Sequence, residues 1–360
     1  MRPGRTLAGP RATRGVTLVE LMVALVLGLV VVAAALAVFL ANRQTYVAAQ
    51  DMGRMQEASR VAFELMSRDI REAGGGVCGN DGGDVVNVLN SPAANWYTDF
   101  AGGVRGYPAT TPFADAAFGT GAGARVQGTE AIELKSAYQA DVTIAKHDPP
   151  SAQFKANTVA HDMSPGDIVM ACDAEHATIF QVTNASPGTN DTIVHNTGAS
   201  TPGNCTKGLG FPVDCSSTTG TAYEFGCAYG GTKPSIDCTL PENRWTAYLA
   251  RVQALRWYVG CNGRADCATP AGRSLYRSRV ANSGGALGVV SDEIATGVTG
   301  LAFRFLLADA DDYVADSTAL DWSKVLAVDV EVATGGQDLV DGQRIARTLH
   351  NVVTLRSRAP

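Results

Sequence analysis

The sequence predicts an α+β protein in which one long N-terminal helix precedes an antiparallel β-sheet head. Three observations carry that expectation. Residues Leu21 to Ala41 contain no charged or strongly polar side chain. Apolar residues recur with the helical period from 42 to 73, and beyond Gly76 short stretches alternate apolar and polar with no helical crossover between them. A chain that is 46% hydrophobic and 18% charged can bury a core, and 39 glycines suit a loop-rich, β-rich body, because glycine serves turns and weakens helix interiors.

Residues 1–15 contain Arg2, Arg5, Arg11 and Arg14 and no acid. Removing those four from the 29 basic residues leaves 25 against 35 acidic ones, so the rest of the chain is strongly acidic. Direct nucleic-acid binding is therefore not expected, since nonspecific affinity for a phosphate backbone comes from Lys and Arg displacing counterions. The run that follows is about 30 Å long at 1.5 Å per residue, the thickness of a bilayer hydrocarbon core. It exceeds the roughly 7–15 apolar residues of a secretory signal peptide and ends in Asn42-Arg43-Gln44 without a small-x-small cleavage site. The leader arginines predict a cytoplasmic N-terminus and a translocated C-terminal body.

One residue in this region needs a reason. Glu20 sits at the start of the apolar run, where an unpartnered charge near the bilayer centre would cost roughly 2.5–3.5 kcal/mol. The stretch Gly15-Val16-Thr17-Leu18-Val19-Glu20-Leu21-Met22-Val23 resembles the class III signal of type IV prepilins and pseudopilins: a short basic leader, a glycine, then an apolar helix carrying a glutamate. The resemblance implies a type IV pilin-like fold, cleavage after Gly15 by a prepilin peptidase, and methylation of the new amine of Val16, which stands where the family usually has phenylalanine. In a filament core of low dielectric, Glu20 would pair with the terminal amine of Val16, its own or a neighbour's, and set the axial register. The alternative is an interfacial acid reaching to the headgroups.

The stretch from Phe39 to Gly74 looks like the same region of PilW-type minor pilins, with Asn42 to Tyr46 leading into a helix that ends Arg68-Asp69-Ile70-Arg71 before Ala73-Gly74. The C-terminal RIARTLHNVVTLRSRAP is similar to that family's final strand. Along the helix, Met52, Met55, Ala58, Ala62, Leu65, Met66 and Ile70 form the expected packed face, while Arg54, Glu57, Arg60, Glu64, Arg68 and Arg71 form the solvated one. Glu64 and Arg68 are spaced as an i, i+4 pair, and Gly74-Gly75-Gly76 supplies the stop. The expected organisation is thus a leader over 1–15, a membrane or filament-core helix over 16–41, its amphipathic continuation over 42–76 and a head over 77–360.

In the head, strands are expected at Ala131–Lys135, Asp167–Cys172, Ile179–Thr183, Val252–Val259, Ser274–Val280 and His350–Arg356. Alternation also marks strands around Leu301–Leu307 and Leu326–Val332. Residues 77–128 and 184–243 read as surface excursions rich in turn-forming residues. The eight cysteines, all beyond the apolar run, favour disulfides formed in an oxidising compartment. Cys205–Cys215, Cys227–Cys238 and Cys261–Cys267 close short loops, leaving Cys78–Cys172 by elimination. No CxxC spacing supports zinc. Asn80-Asp81-Gly82-Gly83-Asp84 lacks the remaining ligands of a calcium loop.

His147, His161, His176, His195 and His350 form no HExxH motif, and neither a P-loop nor a GxSxG elbow is present. The expectation is therefore a non-enzymatic assembly protein without a cofactor. The resemblance implies the partners: prepilin peptidase, other minor and major pilins, an inner-membrane assembly platform and a tip adhesin. It also implies an inner-membrane precursor that becomes part of a surface fibre, supporting twitching motility, adhesion or DNA uptake. Two rival readings are a large minor pseudopilin of type II secretion and a membrane-tethered binding module or DNA receptor.

Overall fold

The computed structural model describes residues 15–75, 85–100, 102–113, 115–173, 176–198, 201–225, 232–233, 236–237, 247–315, 320–340 and 342–358. A single helix, α1 (Leu18–Glu72), runs unbroken through the apolar and amphipathic segments. Its 55 residues span about 80 Å at 1.5 Å each. The chain leaves the helix at Ala73, and Gly74 takes a left-handed φ of 69° that a side chain would resist.

The strands follow in chain order. They begin with β1 (Val85–Asn87), β2 (Val104–Tyr107), β3 (Ala131–Asp148), β4 (Gln153–Ala156), β5 (Ile168–Cys172) and β6 (Ala177–Gln181). Then come β7 (Asn184–Ala185), β8 (Thr192–Val194), β9 (Thr232–Lys233), β10 (Ile236–Asp237), β11 (Tyr248–Cys261) and β12 (Arg273–Ser283). The last are β13 (Ala286–Thr296), β14 (Val298–Leu307), β15 (Val314–Ala315), β16 (Val325–Gly335) and β17 (Ala346–Thr354). An 11-stranded sheet is organised around the β11–β3 pair, and a 4-stranded sheet runs β15-β14-β16-β17. Among the described residues, the named strands pair antiparallel except β1 with β6, so the architecture is the expected helix-plus-antiparallel-sheet type.

Two hydrophobic centres explain this arrangement. The first joins Ala62, Met66 and Ile70 of α1 to Trp257 and Leu255 of β11 and to the inward residues Phe303, Phe305, Val328, Val330 and Val332 of the smaller sheet. Met66 and Ile70 are fully buried, each contributing roughly 1.5–3 kcal/mol by leaving water. The second lies farther along the head, where Phe154, Phe180, Ile193, Leu249 and Phe225 pack together.

Several expected details differ. Met52 is exposed, and the inner helix face instead carries Asp51, Ser59, Ser67 and Asp69. Ser67 and Asp69 have partners in the sheets, Asp51 bonds the loop after β16, and Met52 lies just outside the contact stripe. Arg68 pairs with Glu72 at 3.4 Å rather than with Glu64. β3 continues to Asp148 and β11 begins at Tyr248, because each borders several strands in succession. The excursions contain short strands of their own, β1 and β2 in one and β7, β8, β9 and β10 in the other. The calcium-like segment 80–84 lies outside the described residues.

Candidate functional site

Leu18 to Gln50 project from the head with no buried residue, and α1 is long and apolar enough to cross a membrane. The site at its start is built by local chain chemistry. Thr17 is the N-cap in an extended conformation (φ −74°, ψ 154°). Its hydroxyl accepts from the Glu20 N–H at 3.2 Å, while the Glu20 carboxylate accepts from the Thr17 N–H at 3.0 Å and the Thr17 hydroxyl at 3.1 Å. This reciprocal capping box satisfies donors that the first helical turn leaves open and places a negative charge at the positive end of the helix dipole.

Glu20 is thus held by Thr17. The sequence reading missed Thr17, although Thr-x-x-Glu ahead of an apolar run is the recognisable signal of such a box. Val16 is 73% exposed, and Gly15 has open space around the position a Cβ would take. The bond between them therefore lies in non-helical chain two residues before the first turn.

Farther along α1 two carboxylates fasten the helix to the head. Asp51 accepts from the Asp338 N–H at 3.0 Å and pairs with Arg54 at 3.3 Å. Its carboxylate also fills the space where a Cβ on Gly336 would lie, so a side chain there would push the carboxylate aside. Asp69 accepts from the Trp257 indole at 2.9 Å and pairs with Arg277 at 3.3 Å. Burial outweighs the pull of Arg277 and pushes its carboxyl up to about 6.

The head's charged interior is closed on itself. Arg256 pairs with Glu133 at 2.9 Å and with Asp115, and Glu133 also binds Lys135 at 2.6 Å. Tyr107 donates to Glu133 at 2.7 Å, and burial raises its phenol to about 12. His147 and His195 meet Nε2 to Nε2 at 3.2 Å against Phe154. Burial depresses His195 to about 3, which keeps its ring neutral in this core contact. No cluster of three metal-ligating side chains occurs among the described residues.

Cys205–Cys215 and Cys261–Cys267 are bonded, with Cα separations of 5.0 and 5.3 Å. Cys172 is also disulfide-bonded, whereas Cys78, Cys227 and Cys238 lie outside the described residues. The structure thus joins Gly15, Val16 and Glu20 in one segment, and the bonded cysteines pin loops elsewhere in the head.

No curated protein matches the chain. Residues 10–36 match the family model described as the prokaryotic N-terminal methylation motif, a span that begins in the basic leader and covers Gly15, Val16, the capping box and most of the apolar run. The N-terminus of this chain is therefore the prepilin-type signal of type IV pilin-like proteins.

Proposed function

We propose that this chain is a PilW-like minor pilin of a type IV pilus: inserted in the inner membrane, cut after Gly15, methylated at Val16, and assembled with other minor pilins into a complex that primes the fibre and stays at or near its tip. The observation that carries the reading is one uninterrupted helix, bare and apolar over its first half and packed into a head over its second. A simple tether needs no such rigid continuity, whereas a fibre built from bundled helices does. Cutting after Gly15 would create an amine one residue before Thr17, whose N–H and hydroxyl already hold the Glu20 carboxylate. Glu20 would then exchange part of a helix cap for an ion pair in a low-dielectric bundle, where like subunits align at a fixed stagger. A head as large as this one hinders repeated stacking and suits low copy number.

The test is to express the chain with and without prepilin peptidase, sequence the mature N-terminus, and count surface pili in a Glu20→Ala strain. The expected result is a mature chain starting at Val16 and a variant that is still membrane-inserted but supports fewer pili. A precursor that stays intact within assembled pili, or full piliation by Glu20→Ala, overturns the mechanism. Normal pili combined with a specific loss of protein secretion would instead assign the chain to a secretion pseudopilus.

A further inference from the structure

The 11-stranded sheet forks. On the flank of β11 away from β3, Tyr248–Arg251 pair with β5, while β12 pairs only from Leu255 onward. Val252–Ala254 therefore face a gap, and the β12–β13 hairpin overhangs it. The hairpin tip is tied back to the turn before β5: Asn282 donates to the Pro165 carbonyl at 2.9 Å and to Asp167 at 2.8 Å, and Gly166 lies too close to the backbone of Gly285 to carry a Cβ. The crotch of the fork is a half-open cleft of about 640 Å³, within the size range of small-molecule sites.

Its lining has a consistent chemistry. Tyr97, Phe100 and Tyr138 supply three aromatic rings, and neither tyrosine hydroxyl has a hydrogen-bond partner among the described residues. The charges, by contrast, are spoken for. Asp167 accepts from Arg251 at 2.5 Å, Ser164 N–H at 2.9 Å and Asn282, and Arg279 is paired with Asp292 at 3.0 Å. An anion would meet arginines whose charge carboxylates already compensate, and a purely apolar ligand would strand the phenols. Ring faces with a negative quadrupole attract weakly positive C–H groups, while adjacent free hydroxyls exchange hydrogen bonds with a polyol.

We propose that this fork binds a short, uncharged saccharide, its ring faces against the tyrosines and its hydroxyls bonded to theirs and to the exposed backbone of β11. The cleft lies at the end of the head remote from the apolar half of α1. Trp257 sits beside Asp69, and Arg251 is six residues further along β11, away from the Cys261 end. That further distance is about 20 Å at 3.3 Å per residue. Binding itself does not depend on the pilus reading; only exposure of the cleft at a fibre tip does.

The test uses the full chain in a zwitterionic detergent without a sugar headgroup, titrated with maltotriose, cellotriose and triacetylchitotriose and followed by saturation-transfer NMR. Saturable binding of at least one of them below about 10 mM is expected, that being the range of weak specific sites. Tyr138→Ala should weaken it roughly tenfold and Tyr138→Phe only a few-fold, since stacking survives in the latter. Both variants should keep the wild-type near-UV circular dichroism; should Tyr138→Ala lose it, Tyr97→Ala serves as the replacement. The inference is overturned if none of the three saturates, if binding is indifferent to the tyrosine variants, or if only trigalacturonate or an uncharged heptapeptide binds.

Discussion

Replacing Asp69 by Asn perturbs the junction between helix and head at one atom and has a calculable pH signature. The carboxyl ordinarily titrates near 3.8, and burial raises it to about 6 in the fold, against the smaller opposing effects of Arg277 and the Trp257 indole. The folded state therefore holds this proton more tightly than the unfolded chain. The group's contribution is most favourable below pH 3.8 and declines as pH rises through 6, because the ionised form is the one that burial penalises. At about 1.4 kcal/mol per pH unit, the ionised carboxylate costs the fold roughly 3 kcal/mol at pH 7 relative to the protonated one. Asn copies the protonated shape, and its carbonyl oxygen can still accept from Trp257. Thermal unfolding in detergent between pH 4 and 8 should show the difference between variant and wild type growing in the variant's favour as pH rises. It should reach about 5 °C for a head of this size. A constant offset across that range, or a wild type that gains on the variant toward pH 7, refutes the reasoning.

Two further outcomes test the head. Arg125 is fully buried and donates to the carbonyls of Thr111 at 2.7 Å, Pro108 at 3.1 Å and Thr129 at 2.5 Å, so Arg125→Met should cost roughly 3–5 kcal/mol and open residues 104–129 to limited proteolysis. Gly103 has a φ of 65°, and a Cβ there would overlap the backbone of Gly74; Gly103→Ala should lower the urea midpoint by an amount corresponding to at least 1–3 kcal/mol, about the cost of the backbone strain alone.

Much of this architecture was readable from periodicity. The alternation in Leu301–Leu307 and Leu326–Val332 marked strands that pair as β14 and β16, since one face of each meets the helix. β13 escaped notice because it is a sheet-edge strand, and Ser291, Asp292 and Glu293 break the alternation at its centre. Only the fold reveals the burial of Asp51 and Asp69: Trp257 is 188 residues from Asp69, and no local pattern connects them. The segment around Glu20 is legible locally. Gly15, Val16 and Glu20 are picked out by their spacing together with the resemblance to a prepilin signal, and Thr17 could be added to them, since its role is purely local. The forked sheet had no signature in the sequence, because it depends on where β12 parts from β11.

The two carboxylate fastenings, Asp51 near one end of the packed helix and Asp69 near the other, are about 27 Å apart along α1 at 1.5 Å per residue. A tug directed along the rod therefore loads both together, in shear, with the greasy side chains between them. Peeling the rod away from one end would load them one after the other. A chain fastened in this way can carry tension from one end of its rod to the other while its head stays seated.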